Sequence, residues 1–154
     1  MHVTLAQLAP LPRDMRANLA RAREVIAAST ASDLVVLPEL FLPGYELEDV
    51  EQLAVGLDGA EVAELREAAR DAGTAVVVGL AERVDGGVAN SAVCIDAAGE
   101  VAGVYRKTHP FGEERSAYLA GEELVTVELG GRVLGLMICF DMEFPEVARA
   151  LAER

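Results

Sequence analysis

The stretch Val133-Leu134-Gly135-Leu136-Met137-Ile138-Cys139-Phe140-Asp141-Met142-Glu143-Phe144-Pro145-Glu146 decides how this chain is read. Its first half is an apolar run of strand length that Cys139 closes. Its second half is a polar turn, and Phe144-Pro145-Glu146 starts a helix with proline and acid in the first turn. A sharp strand-to-helix turn pushes a terminal side chain out of the sheet, and a helix N-terminus behind a sulfur favours the thiolate. Cys139 is therefore expected to be a nucleophile. Taken alone, it reads more simply as a buried strand-end cysteine, since cysteine is among the most buried residue types.

Working outward, other segments repeat the strand-then-turn pattern. Val3 to Leu8 reads as a buried strand stopped by Pro10 and Pro12. From Asp14 to Ala28 apolar residues recur at helical spacing, with arginines on the other face. Leu34 to Leu37 is a short apolar strand of the kind that parallel sheets bury on both faces. A second helix spans about Ala60 to Ala72 and ends at Gly73, and Thr74 to Leu80 is a further strand. Asp85-Gly86-Gly87 turns into Val88–Ile95, and Ala97–Glu100 turns into Val101–Tyr105. Leu124–Leu129 and Arg132–Ile138 form a last pair around Gly130-Gly131. This order predicts a layered α/β protein with a mixed sheet.

The 154 residues are read as one domain, 1–154, with a core of its own. Acidic side chains outnumber basic ones by 26 to 13, and the resulting charge of −13 argues against nucleic acid or an anionic membrane as partner. The two cysteines form no short pairing motif, and no apolar leader follows a basic head, so free thiols and a cytoplasmic location are expected. No apolar run is long enough to span a bilayer. His2 and His109 stand at no zinc-ligand spacing from a cysteine, so neither metal nor cofactor is expected.

In open α/β sheets ligands gather beyond the carboxyl ends of the strands. Glu39 lies two residues past Leu37, Lys107 two past Tyr105, and Cys139 directly after Ile138. If those strands run parallel in one sheet, the three groups converge at one rim. A carboxylate can then take the thiol proton, the sulfur can attack a carbonyl or nitrile carbon, and an ammonium can stabilise the developing negative oxygen.

Three segments carry a resemblance: Leu37-Pro38-Glu39-Leu40-Phe41, Tyr105-Arg106-Lys107-Thr108-His109, and Ile138 through Glu146. In this order they resemble the signature segments of the nitrilase (carbon-nitrogen hydrolase) superfamily, and Gln7, Pro10 and Asn18 match its usual opening. The resemblance implies an α-β-β-α sandwich with mixed sheets, incomplete at the C-terminus because family members run to nearly twice this length. It implies Glu39 as general base, Lys107 as oxyanion stabiliser and Cys139 as nucleophile, with the Phe140 N–H as second oxyanion donor. A second glutamate that positions substrate is Glu113 or Glu114, and Arg115 and Gly121 nearby favour Glu114. Tyr45 is a further substrate-positioning candidate. Pro110 and Ala120 depart from the leucine and proline usual at those places.

Other residues read more plainly. Cys94 sits inside an apolar strand and is expected to be core. His109 is expected to support the reactive groups from behind or to be structural, Asp141 and Glu143 to cap and shape the turn, Arg149 to lie on a helix surface or at an interface, and Glu46, Glu48, Asp49 and Glu51 to form a solvated face. Phe140-Asp141 after the cysteine resembles amidases, where nitrilases usually carry Trp-Glu. The expected activity is hydrolysis of a small-molecule amide through a thioester, by a protein that is a homo-oligomer when full length. An acyltransferase using the same thioester is the near alternative. A non-catalytic or incomplete module that needs a partner or a missing half is the alternative of another class.

Overall fold

Asp14 begins the first helix by accepting the Ala17 N–H at 3.0 Å, and Leu19, Ala22 and Ile26 recur on one buried face. Gly73 ends the second at φ +63°, where its N–H meets the Ala69 and Arg70 carbonyls without a Cβ penalty. In a computed structural model that describes residues 1–154, these are α1 (Met15–Ala28) and α2 (Ala60–Ala72). The strands are β1 (Val3–Leu5), β2 (Leu34–Val36), β3 (Ala75–Val84), β4 (Gly87–Ile95), β5 (Val101–Arg106), β6 (Thr126–Leu129) and β7 (Arg132–Gly135). Two short helices, α3 (Glu114–Ala117) and α4 (Pro145–Ala152), and 3₁₀ turns at Val50–Gln52 and Cys139–Glu143 complete the chain. No helix is long and apolar enough to cross a membrane.

One sheet has the order β1-β2-β3-β4-β5, and β6-β7 form a second. The first three strands are parallel, whereas β3, β4 and β5 are antiparallel neighbours. Two reversals make β5 run with β2, so both end on the same rim.

Strand alternation sorts the residues of the large sheet onto two faces. Val76, Val78, Val93 and Ile95 face α1 and α2, packing on Leu19, Ile26, Val62 and Leu65. Ala75, Ala92, Cys94 and Tyr105 face the other way, onto Val127, Leu129, Leu136 and Ile138 of the β6-β7 layer. Helix α4 lies behind that layer, since a Cβ on Gly135 would come within 2.9 Å of the Leu151 Cβ. The layers are thus helix, sheet, sheet, helix, the sandwich expected from the sequence.

Of the boundaries that differ from that reading, two bear on the site. Strand β1 ends at Leu5, and Val3 and Leu5 are 41% and 69% exposed, because β1 is an edge strand that pairs only with β2. Strand β7 stops at Gly135, although the Leu136 N–H still reaches the Val125 carbonyl. Cys139 therefore does not end a strand of the large sheet: it arrives from the second sheet. Convergence is achieved by two facing sheets, not by three parallel strands in one.

Candidate active site

The rim beyond β2 and β5 is built by alternation. Gly103, Tyr105 and Lys107 fall on the face of β5 that meets the second sheet, and Asn90 extends the Ala92–Cys94 row of β4 to the same place. The Lys107 N–H donates to the Asn90 carbonyl at 2.9 Å, which carries the pairing one residue past the strand. On the opposite face the Arg106 guanidinium grips buried Glu82 with two bonds, of 2.6 and 2.8 Å, and pins the end of β5.

Glu39 follows Pro38 on a segment that turns back over β3. Leu40 adopts φ +47° there, and the Leu42 N–H donates to the Gly79 carbonyl. Asn18 of α1, fully buried, holds the far side of this segment through the Leu42 carbonyl at 2.9 Å while bonding both backbone groups of Leu11.

The charged groups meet at the Lys107 ammonium, which is 1% exposed. Its Nζ lies 2.6 Å from Glu39 Oε1 and 2.8 Å from Glu114 Oε2. Burial works against the ammonium, but the hydrogen bonds and charges of Glu114 and Glu39 outweigh it and leave its pKa raised. Lys107 is therefore a fixed positive charge between two carboxylates.

Of the two candidate glutamates, Glu114 is the one against Lys107, while Glu113 is exposed. Its carboxylate is saturated: Oε1 accepts from Lys107 Nζ at 3.1 Å and Tyr45 Oη at 2.8 Å, and Oε2 also accepts the Phe111 N–H at 2.7 Å. In this arrangement Glu114 holds Lys107 and the 111 loop, and a substrate reaches it only by displacing Tyr45. The Tyr45 ring is 51% exposed, and burial together with the bond to Glu114 raises the pKa of its hydroxyl.

Cys139 lies opposite, exposed, at the first position of its 3₁₀ turn and at φ +46°. A left-handed conformation at a non-glycine residue costs on the order of 1–3 kcal/mol, and such strain gathers at working sites. Asp141 holds the turn in this shape. Its Oδ2 accepts the Ile138 N–H at 2.9 Å and the Tyr105 hydroxyl at 2.7 Å, while Oδ1 accepts the His109 N–H at 3.0 Å. The Phe140 N–H occupies the first turn of this element, where no carbonyl of the turn can accept it. The Phe140 ring packs edge-on to Phe111 and Phe144, with centroids 5.0 and 5.3 Å away.

Burial, then the charge of Glu39, push the Cys139 thiol above its usual pKa, with Lys107 pulling the other way. These surroundings favour the thiol, against the thiolate that a helix N-terminus would favour: burial leads, the Glu39 charge adds to it, and a single 3₁₀ turn supplies little dipole to offset them. Cys94 is core as expected, its thiol pushed up to about 11 by burial and by Asp96. His109 stacks on Phe144 at 3.9 Å and bonds Asp141, a structural placement that matches its reading.

The carbon-nitrogen hydrolase family model matches residues 2–154. The chain belongs to the carbon-nitrogen hydrolase family. Among curated members, it is 46% identical to a Pseudomonas protegens protein described as "Hydrolase in pqqF 5'region", across 99% of this chain and 55% of that protein. It is 39% identical to an (R)-stereoselective amidase of Pseudomonas sp., across 99% of this chain and 56% of the amidase. Its fold matches the crystal structure of an amidase from Nesterenkonia sp. with a TM-score of 0.85 and 34% identity, over 97% of this chain and 59% of that one. A variant of the Nesterenkonia amidase, matched at a TM-score of 0.85 and 33% identity over 97% of this chain and 61% of its own, shows the result of Michael addition of acrylamide at the active site cysteine. The chain thus spans 55% to 61% of the length of these relatives.

Two residues that shape this site went unread in the sequence. Asn90 is a polar residue in an otherwise apolar buried strand, a pattern that signals either a network or a site. Gly79 sits inside an equally buried strand, where glycine marks the close approach of another backbone.

Proposed function

We propose that this chain carries the catalytic centre of a cysteine-dependent amidase. The observation that carries the reading is the Lys107 ammonium fixed between Glu39 and Glu114, with the Cys139 sulfur near enough to feel the charge of all three. Glu39 takes the S–H proton as sulfur bonds to the amide carbonyl carbon, and the carbonyl π pair moves to oxygen. Lys107 and the Phe140 N–H hold that oxyanion. Collapse restores the C=O, breaks the C–N bond, and returns the proton from Glu39 to nitrogen, which leaves as ammonia or an amine. Water then adds to the thioester with Glu39 as base, and the departing sulfur regains a proton as the acid is released. The amidase names among the relatives, and Phe140-Asp141 in place of Trp-Glu after Cys139, favour an amide over a nitrile.

Acrylamide tests the reading in two ways. It is expected to leave one adduct on Cys139 and none on Cys94 in the folded chain, and short aliphatic amides are expected to release ammonia. Cys139→Ala should abolish both, by at least about 10³-fold in turnover. Ammonia release that survives this substitution would sink the assignment. Labelling draws only on the groups named above, whereas turnover also draws on whatever else closes the pocket, so the two readouts are scored separately.

The raised thiol pKa gives a further expected result. Thiolate is the reactive form, so a thiol whose pKa is raised by the Glu39 charge labels slowly at pH 7. Glu39→Gln removes that charge and should move the pH midpoint of Cys139 alkylation down while hydrolysis is lost. A midpoint that moves up, or stays, contradicts the assigned electrostatics.

A further inference from the structure

Asn90 is 1% exposed at the rim, between the two sheets, and its Oδ1 is a buried side-chain acceptor that no protein group satisfies. An orphan acceptor of this kind costs about 1–3 kcal/mol, which an apolar side chain of the same shape would avoid. Stability therefore does not explain an asparagine here. Its Nδ2 donates to Glu39 Oε1 at 2.7 Å, and Lys107 Nζ donates to that same oxygen at 2.6 Å. Both of these bonds fall on Oε1, and neither nitrogen donor takes Oε2.

We infer that Asn90 is a positioning residue that, together with Lys107, clamps Glu39 by Oε1 and leaves Oε2 as the one oxygen free to take the Cys139 proton. The inference rests on the amidase reading and adds a residue to it. A proton on Oε1 would face two donors, so protonation there is opposed. A proton on Oε2 leaves Oε1 a carbonyl-like acceptor that both donors still satisfy. The amide itself can sit only one way round, because turned end for end it would set Oδ1 against a charged oxygen. The charged or titratable groups around this clamp are Lys107, Glu114, Tyr45, Tyr118 and Cys139, all drawn from elements that meet at the rim.

The test is a double-substitution cycle read by iodoacetamide labelling of Cys139, which needs no turnover. Asn90→Leu removes a donor that disperses the Glu39 charge, so the thiol is held more tightly and labelling at pH 7 should slow roughly three-fold. In a Glu39→Gln background the same change should do nothing, because the residue acts through Glu39. The urea midpoint of Asn90→Leu should hold or rise, since the orphan acceptor is gone. Asn90→Asp keeps the shape, places a second negative charge beside Glu39, and should slow labelling further. Labelling unchanged in both variants overturns the inference, as does an equal slowing in the Glu39→Gln background. Those outcomes leave the amidase reading standing if Glu39→Gln alone still abolishes hydrolysis; hydrolysis that survives Glu39→Gln removes the reading itself.

Discussion

Gly79→Ala is expected to slow hydrolysis by about 10²-fold while leaving every candidate catalytic side chain in the sequence. Gly79 lies in β3 directly under the segment that carries Glu39. A Cβ built there would sit 2.4 Å from the Leu40 nitrogen, 2.4 Å from the Pro38 oxygen and 2.7 Å from the Glu39 carbonyl carbon. These are backbone atoms and cannot rotate away. Either β3 bows or the 38–40 segment lifts by about 1 Å, and a displacement of that size in a catalytic group costs on the order of 10²-fold in rate. Overpacking against backbone adds a stability loss of about 3 kcal/mol. Ammonia release and a urea transition followed by far-UV circular dichroism check the two parts; tyrosine fluorescence is the alternative probe in a chain without tryptophan. Lifting the segment also withdraws Glu39 from the thiol, so Cys139 alkylation should shift in the direction expected for Glu39→Gln. Wild-type activity in Gly79→Ala would mean that the close approach of β3 to this segment is not what places Glu39.

The sequence made much of this site legible because its parts obey local rules. Period and caps located α1 and α2, and Gly73 ended α2 where a left-handed residue was needed. Glu39, Lys107 and Cys139 could be read because each follows a strand, which is a local property. What the sequence left open is long-range. Cys139 reaches the rim from the β6-β7 layer, and no spacing in the chain states which sheet a hairpin joins. The direction in which the thiol's pKa moves depends on its burial and on Glu39 and Lys107 meeting beside it, conditions that exist only once the two sheets have packed. Glu114, not Glu113, lies against Lys107, and what holds it there is the set of bonds to Tyr45 and Phe111, which its sequence neighbours do not state. Asn90 gave a faint signal, and its meaning lay 51 residues away at Glu39.

Asp141→Ala should unfold the elbow more thoroughly than any substitution among the groups that touch substrate. Asp141 is fully buried, and its two oxygens serve the Ile138 and His109 backbone N–H groups and the Tyr105 hydroxyl, with Thr108 Oγ1 at 3.1 Å. Tyr105 and Thr108 bracket Lys107, and Ile138 precedes Cys139. One carboxylate therefore joins the end of β5 to the turn that presents the sulfur, across the gap between two sheets. The Tyr105 hydroxyl is correspondingly hard to ionise, its pKa pushed to about 12 by burial, with the Asp141 bond acting in the same direction. Alanine strands several buried donors at about 1–3 kcal/mol each, so a loss near 4 kcal/mol is expected. Asparagine keeps one acceptor oxygen and should lose roughly half as much. The strained φ of Cys139 supplies a second readout. Freed of the Ile138 bond, the residue relaxes out of the left-handed region, and its alkylation rate should approach that of the urea-unfolded chain even where the helices persist. If Asp141→Ala keeps both the urea midpoint and the slow labelling of Cys139, the Lys107 loop and the elbow are aligned by packing alone. His109 on Phe144 and the Phe111–Phe140–Phe144 aromatic contacts would then be the groups that hold them.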